Sequence, residues 1–198
     1  VATRFFSLES LNFTRQNQRM TERELIVGCQ KGKAECQREL LRRYAPMLLT
    51  VCRRYAKDAA FAEDLLQESL LRIFKGIGQY EAIGSFEGWM RKVTINTALQ
   101  QIDKQYFKKE VYEIDTKHEV QLLPDVFQKM GAEELLSLIA TLPNGFRQVF
   151  NLYAIEGYSH AEISALLGIG ESSSRSQLAR ARKLLQDKLS TKQQSTYS

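Results

Sequence analysis

The chain has 198 residues, with 28 Lys and Arg set against 23 Asp and Glu and a formal net charge of +5 at pH 7. That length suits one large domain or two small ones. Abundant charge of both signs implies separate basic and acidic surfaces instead of a uniformly basic mantle. Cys29, Cys36 and Cys52 have no short paired spacing and only two His exist to help them, so a zinc site is not expected and buried thiols in a reducing cytosol are. No apolar stretch approaches membrane-spanning length, and no basic-then-apolar leader opens the chain. Membrane insertion is therefore not expected, and a cytoplasmic location is.

Residues 1–20 scatter aromatics without periodicity and read as a disordered extension. Residues 1–19 are expected to be dispensable, with the natural chain starting at Met20, because Thr21 and Glu24 form a capping box directly after it. The short helix they open ends at Lys31-Gly32. From Lys33 a longer helical pattern carries Leu40, Leu41, Tyr44, Leu48, Val51 and Tyr55 as its apolar positions, with a kink expected at Pro46.

Asp58 caps the next helix, whose inward residues are Phe61, Leu65, Leu66, Leu70, Ile73 and Phe74. Asp64, Gln67, Glu68 and Leu71, at offsets of three, four and seven, share a different face. On a lone helix such a stripe is ordinarily just solvated. Gly76, Gly78 and Gly84 make the following connection loop-like, and Ser85 starts a fourth helix. There Phe86, Trp89, Met90 and Val93 pack inward, while Arg91, Lys92, Asn96, Gln100 and Lys104 face elsewhere. Amides among basic residues suit contact with bases and phosphates, and equally suit an ordinary wet helix.

Residues 105–131 mix charge, isolated apolar residues and a Pro, and read as a linker with one weak helical turn near Asp125–Lys129. Ala132 to Ala140 is helical, placing Leu135, Leu136 and Ile139 inward. Phe146, Val149, Phe150 and Tyr153 then recur at core spacing on a helix ended by Glu156-Gly157. Ser159 and Glu162 make a second capping box; Ile163, Leu166 and Leu167 form that helix's stripe, and Gly168 stops it. After a connection through Ile169, Gly170, Glu171 and Ser172, a last helix turns Leu178, Ala181, Leu184 and Leu185 inward. Its other surface carries Arg175, Gln177, Arg180, Arg182 and Lys183, and the tail after Leu189 reads as frayed.

Two short helices, a tight Gly-bearing turn and a basic second helix make a helix-turn-helix. A basic face is usually a solvated face, but here Arg175, Arg180, Arg182, Lys183 and Lys188 are set against only Glu171 and Asp187. Phosphate neutralisation needs such an excess. Ser172, Ser173 and Ser176 add short hydrogen-bonding side chains where a recognition helix meets base edges. The fold class is thus all-α: two small helical domains, 21–104 and 132–190, joined by a flexible linker, with a tail at 191–198. No catalytic constellation is found. His118 and His160 lack ligand-spaced partners and the serines lack a base, so no enzyme, metal, cofactor or small-molecule substrate is expected.

The segments AEDLLQESLLRIFKGI and SFEGWMRKVTINTALQQIDK resemble region 2 of the bacterial extracytoplasmic-function sigma factors of RNA polymerase, and the stretch from Leu142 to Leu185 resembles their region 4. The resemblance covers roughly 22–105 and 132–189, and the double match in order is far more specific than a lone helix-turn-helix. It implies core RNA polymerase and promoter DNA as partners, and admits an anti-sigma factor. In the family the stripe matching Asp64, Gln67 and Glu68, here extended by Leu71, docks on the polymerase clamp. The helix with Arg91, Lys92, Asn96, Thr97 and Gln100 would engage the melted −10 strand, Asn96, Thr97 and Ala98 matching the family's Asn-Thr-Ala pattern. The loop at 76–85 would help hold a flipped base. Ser172, Ser173, Arg175, Ser176, Ala179, Arg180 and Lys183 would meet the −35 duplex, Arg175, Ser176, Ala179 and Arg180 standing at the family's contact positions. The sequence departs from the family in having Ser174 where a small apolar residue is usual, in the small Ala179, and in the residues before Thr21. The competing reading is a free-standing helix-turn-helix regulator whose N-terminal half is a signal or dimerisation domain.

Overall fold

The computed structural model describes residues 20–106 and 131–196, which form helices and turns without a strand. The extension at 1–19 and the turn expected at Asp125–Lys129 lie outside the described residues, as does the linker from 107 on. The chain forms two compact units, 1–43 and 44–198.

In the first unit, the Thr21 hydroxyl accepts from the Glu24 amide at 3.3 Å while Glu24 accepts from the Thr21 amide at 2.8 Å. This closes the capping box of α1 (Glu22–Gln30). Leu25 and Cys29 are buried on it. Gly28 is required by packing: a Cβ there would stand 2.1 Å from the Cys36 sulfur. Glu39 grips Arg42 at 2.7 Å and also Arg43, which together hold its carboxyl down at about 2.

α2 (Ala34–Tyr55) is one continuous helical element with Pro46 inside it. Asp58 then accepts from the Phe61 amide at 2.8 Å and starts α3 (Ala59–Gly76), followed by a 3-10 turn at Ile77–Gln79. α4 (Phe86–Tyr106) packs against α3. Both helices carry buried hydroxyls. Ser69 donates to the Leu65 carbonyl at 2.6 Å, Thr94 to Met90 at 2.9 Å, and Thr97 to Val93 at 2.8 Å. Each is satisfied by its own helix, so a small polar residue costs little inside.

The C-terminal half contains α5 (Ala132–Ala140), α6 (Asn144–Phe150), a π turn at Asn151–Ile155, α7 (His160–Leu167) and α8 (Glu171–Thr196). α8 begins at Glu171, earlier than the sequence suggests, because the left-handed Gly168 (φ 64°) lets the chain reverse within three residues. It also continues through the polar tail to Thr196, where Lys, Gln and Ser need no core to extend a helix already nucleated. Tyr153 and Leu166, expected inside, are each 37% exposed.

Both halves of the second unit share one apolar core. Val51, Tyr55, Leu65, Ile95 and Ile102 cluster with Ile139, Val149, Phe150, Leu152, Ile163 and Leu185. The buried Asn151 donates to the Arg54 carbonyl at 2.8 Å, satisfying one of the orphan carbonyls at the end of α2. Cys29, Cys36 and Cys52 are all buried and free, and burial pushes the Cys52 thiol up to about 12.

Candidate nucleic-acid interface

The helix-turn-helix is built by its caps. Ser159 and Glu162 exchange hydrogen bonds at 2.8 and 3.3 Å, and the Ser159 amide, then its hydroxyl, hold the Glu162 carboxyl below the usual range. At the other end Ser164 donates to the Ile169 carbonyl, fixing the turn. α8 then presents Ser172, Arg175 and Lys183 exposed, with Ser173, Ser176, Ala179 and Arg180 half-buried beside them. Arg175 pairs with Glu171 one turn back at 2.7 Å, and Gln177 bonds Ser173 at 3.3 Å. The candidate duplex contacts thus occupy one helix, and Ala179 leaves room on it.

Ser174 is fully buried, and its hydroxyl lies 2.9 Å from Nδ1 of His160. The His160 ring stacks on Tyr153 at 4.6 Å, and the Arg182 guanidinium sits over the other ring at 5.7 Å. Burial, followed by Arg175 and Arg182, lowers the His160 pKa and so favours the neutral ring. These contacts fix α8 against α7 and the π turn. Sequence reading missed them, because nothing in the spacing of His160 and Ser174 marks them as partners. They also explain Tyr153: its ring is a platform for both His160 and Arg182, not a core filler.

On α3, Asp64 and Gln67 are exposed, Leu71 is 56% exposed, and Glu68 is half-buried beside them. Glu68 is not free: Arg72 reaches it at 2.9 Å and reaches Gln100 of α4 at 2.5 Å. One arginine therefore links the acidic stripe to the helix carrying the candidate strand contacts.

On α4, Lys92 and Gln100 are exposed, and Arg91 and Asn96 half-buried. Thr97 does not join them. It is fully buried and spends its hydroxyl on Val93, so its expected contact with a DNA strand is corrected to a packing role. Arg91 meets Glu87 at 3.9 Å and Glu156, from the end of the π turn, at 3.3 Å. The loop before α4 packs one aromatic residue against it. Tyr80 packs on Phe86 and Trp89, both at 5.2 Å, and donates to the Gly84 carbonyl at 3.1 Å. Ala82 is held at φ 57° and Ile83 is 81% exposed beside it.

Among the described residues, no group of three or more His, Cys, Asp or Glu could hold a metal ion, and no helix is long and apolar enough to cross a membrane.

Comparison with known proteins finds two family matches. Residues 40–107 match Sigma-70 region 2, and residues 132–185 match Sigma-70, region 4. The chain is 29% identical over 166 residues to the "ECF RNA polymerase sigma factor SigE" of Mycolicibacterium smegmatis, covering 76% of this chain but 60% of that one. It is 29% identical over 149 residues to "RNA polymerase sigma factor CarQ" of Myxococcus xanthus, covering 73% of this chain and 83% of that one. With the "ECF RNA polymerase sigma-E factor" of Escherichia coli (strain K12) identity is 22% over 190 residues, or 87% and 96% of the two chains. In fold it resembles the sigma factor RpoE, solved in complex with the anti-sigma factor NepR from Bartonella quintana. That match has a TM-score of 0.50 and 20% identity, covering 79% of this chain and 97% of that one.

Proposed function

Because this chain belongs to the sigma-70 family, in its extracytoplasmic-function group, and is an RNA polymerase sigma factor of promoter recognition, we propose a division of labour among three helices. Asp64, Gln67, Glu68 and Leu71 of α3 dock on core polymerase. Arg91, Lys92, Asn96 and Gln100 of α4 engage the opened −10 strand. Ser172, Ser173, Arg175, Ser176, Ala179, Arg180 and Lys183 of α8 read the −35 duplex in its major groove.

The observation that carries this reading is the pairing of a helix-turn-helix with a second, separate basic-and-amide surface on the same chain. A folded recognition helix suits an intact groove, whose base edges offer a complete donor and acceptor code. Asn96 and Gln100, standing beside Arg91 and Lys92, suit a strand whose bases are unpaired and whose phosphates still need cations. The α3 stripe is acidic and apolar, which suits a protein partner and repels DNA. A regulator acting without polymerase has no use for that third surface.

The working divisions of the chain are then 21–104 for polymerase and strand binding, 105–131 as linker, and 132–190 for duplex binding. The protein acts in the cytoplasm, where polymerase is, and an anti-sigma factor is among its partners, as one is for the RpoE relative. Run-off transcription with purified chain and core polymerase tests the reading. Initiation from a promoter the core alone ignores is the expected result, and none across a genomic promoter library would overturn it.

A further inference from the structure

Glu156 lies at the end of the π turn, with its side chain only 7% exposed. Two arginines from distant parts of the chain converge on it: Arg54 at the end of α2, 11% exposed, and Arg91 on α4 at 3.3 Å. The π turn has Asn151 at its start, which donates to the Arg54 carbonyl, so the same turn holds both the backbone and the guanidinium of Arg54. Arg91, one of the candidate strand-binding cations of α4, is therefore held by a buried carboxylate from the C-terminal half.

A carboxylate held by two guanidinium groups uses the geometry with which arginine takes a phosphate. The geometry points to Arg54 and Arg91 forming an anion site for a backbone phosphate of the opened DNA strand, filled in this structure by Glu156 as an internal substitute. Arg54 thereby joins the strand-binding set, and Glu156 becomes a competitive inhibitor built into the chain. The inference rests on the assignment of α4 to the opened strand.

The competition follows from charge counting. A guanidinium that serves a buried carboxylate cannot simultaneously neutralise a phosphate, so strand binding has to displace Glu156 and bears that cost. Removing the carboxylate's charge removes the competitor and leaves the cations. The free chain should then bind single-stranded DNA more tightly, and the gain should depend on phosphate charge.

The test uses the full chain and a fluorescein-labelled, mixed-sequence single strand of about twelve nucleotides, read by fluorescence anisotropy. A second oligonucleotide of the same sequence carries uncharged methylphosphonate linkages. Glu156→Gln should raise affinity for the charged strand about tenfold and steepen its salt dependence by about one to two counterions, with no gain for the uncharged strand. Arg54→Gln added to Glu156→Gln should cancel most of the gain. Glu162→Gln removes the same charge at an exposed cap that the amide can still serve and so controls for net charge; its gain should stay within about twofold. Thermal melts followed by circular dichroism establish that each variant is folded. Unchanged affinity in Glu156→Gln, a gain as large in Glu162→Gln, or an equal gain for the uncharged strand would overturn the inference. Failure of the underlying assignment has a different signature: Arg91→Gln and Lys92→Gln would then leave promoter opening by the polymerase-bound protein unaffected.

Discussion

The two helices proposed to meet DNA differ in how their cations are kept. On α8 the exposed Arg175 is paired with Glu171 of its own helix, an i,i+4 contact that solvent screens and a phosphate displaces easily. On α4 the half-buried Arg91 is held by Glu156, a residue 65 positions away, in a pocket it shares with Arg54. Under the proposed assignment, Arg175 of the duplex reader is easily released, whereas Arg91 of the strand reader is occupied by a buried carboxylate. That difference would fit the order of events at a promoter, in which duplex is met before any strand is open.

The largest effect that sharpens this contrast belongs to neither DNA surface. Reversing Asp64 and Glu68 to Lys should weaken core-polymerase binding by about 2–5 kcal/mol, because a complementary charged contact becomes repulsive. Stability should change by no more than about 1 kcal/mol, since Asp64 is exposed and the Glu68–Arg72 pair is partly solvated. Titration of labelled core with the variant checks this, and wild-type affinity would return the α3 stripe to an ordinary solvated face.

Next comes the duplex reader. Arg180→Ala should cost about 1–3 kcal/mol of −35 duplex affinity if the guanidinium meets a base. If it meets a phosphate instead, the loss should be nearly independent of sequence and the salt slope should fall by about one. Gel shifts across a salt series distinguish the two, and an undiminished shift would mean that the recognition surface has been misplaced on α8.

The smallest effect concerns what holds α8 in position. The His160 pKa is lowered from 6.5, so the folded chain binds that proton less readily than the unfolded chain does. Its contribution to stability is present above about pH 6.5 and is lost as pH falls through the lowered value. Unfolding midpoints measured from pH 7.5 to 5 should decline in the wild type and decline less in His160→Asn. Parallel profiles would remove His160 from the pH response.

How much of this was legible in the sequence follows from the range of each interaction. Caps act over three residues, so Thr21 with Glu24, Asp58, Ser159 with Glu162, and the stop at Gly168 could all be read directly. The helix-turn-helix and the α3 stripe follow from them. Ser69, Thr94 and Thr97 defeated the polarity rule because their hydroxyls bond their own helices, hiding core positions behind polar letters. The end of α8 was missed because helix propagation into a polar tail leaves no periodic signal. The links from Arg72 to Gln100, from Arg54 to Glu156 and from Ser174 to His160 join residues of different helices, and no local pattern announces them. They are the contacts that decide which candidate site residues are available.

Permanganate footprinting of the −10 region tests most directly the assignment of opened strand to α4 and duplex to α8. Wild-type protein with core polymerase should render the thymines there reactive on duplex promoter. Asn96→Ala should bind the −35 duplex normally yet give markedly weaker −10 reactivity, with transcription partly restored on a template whose bubble is already open. An Asn96→Ala variant that opens duplex promoter as fully and as fast as wild type would contradict the account.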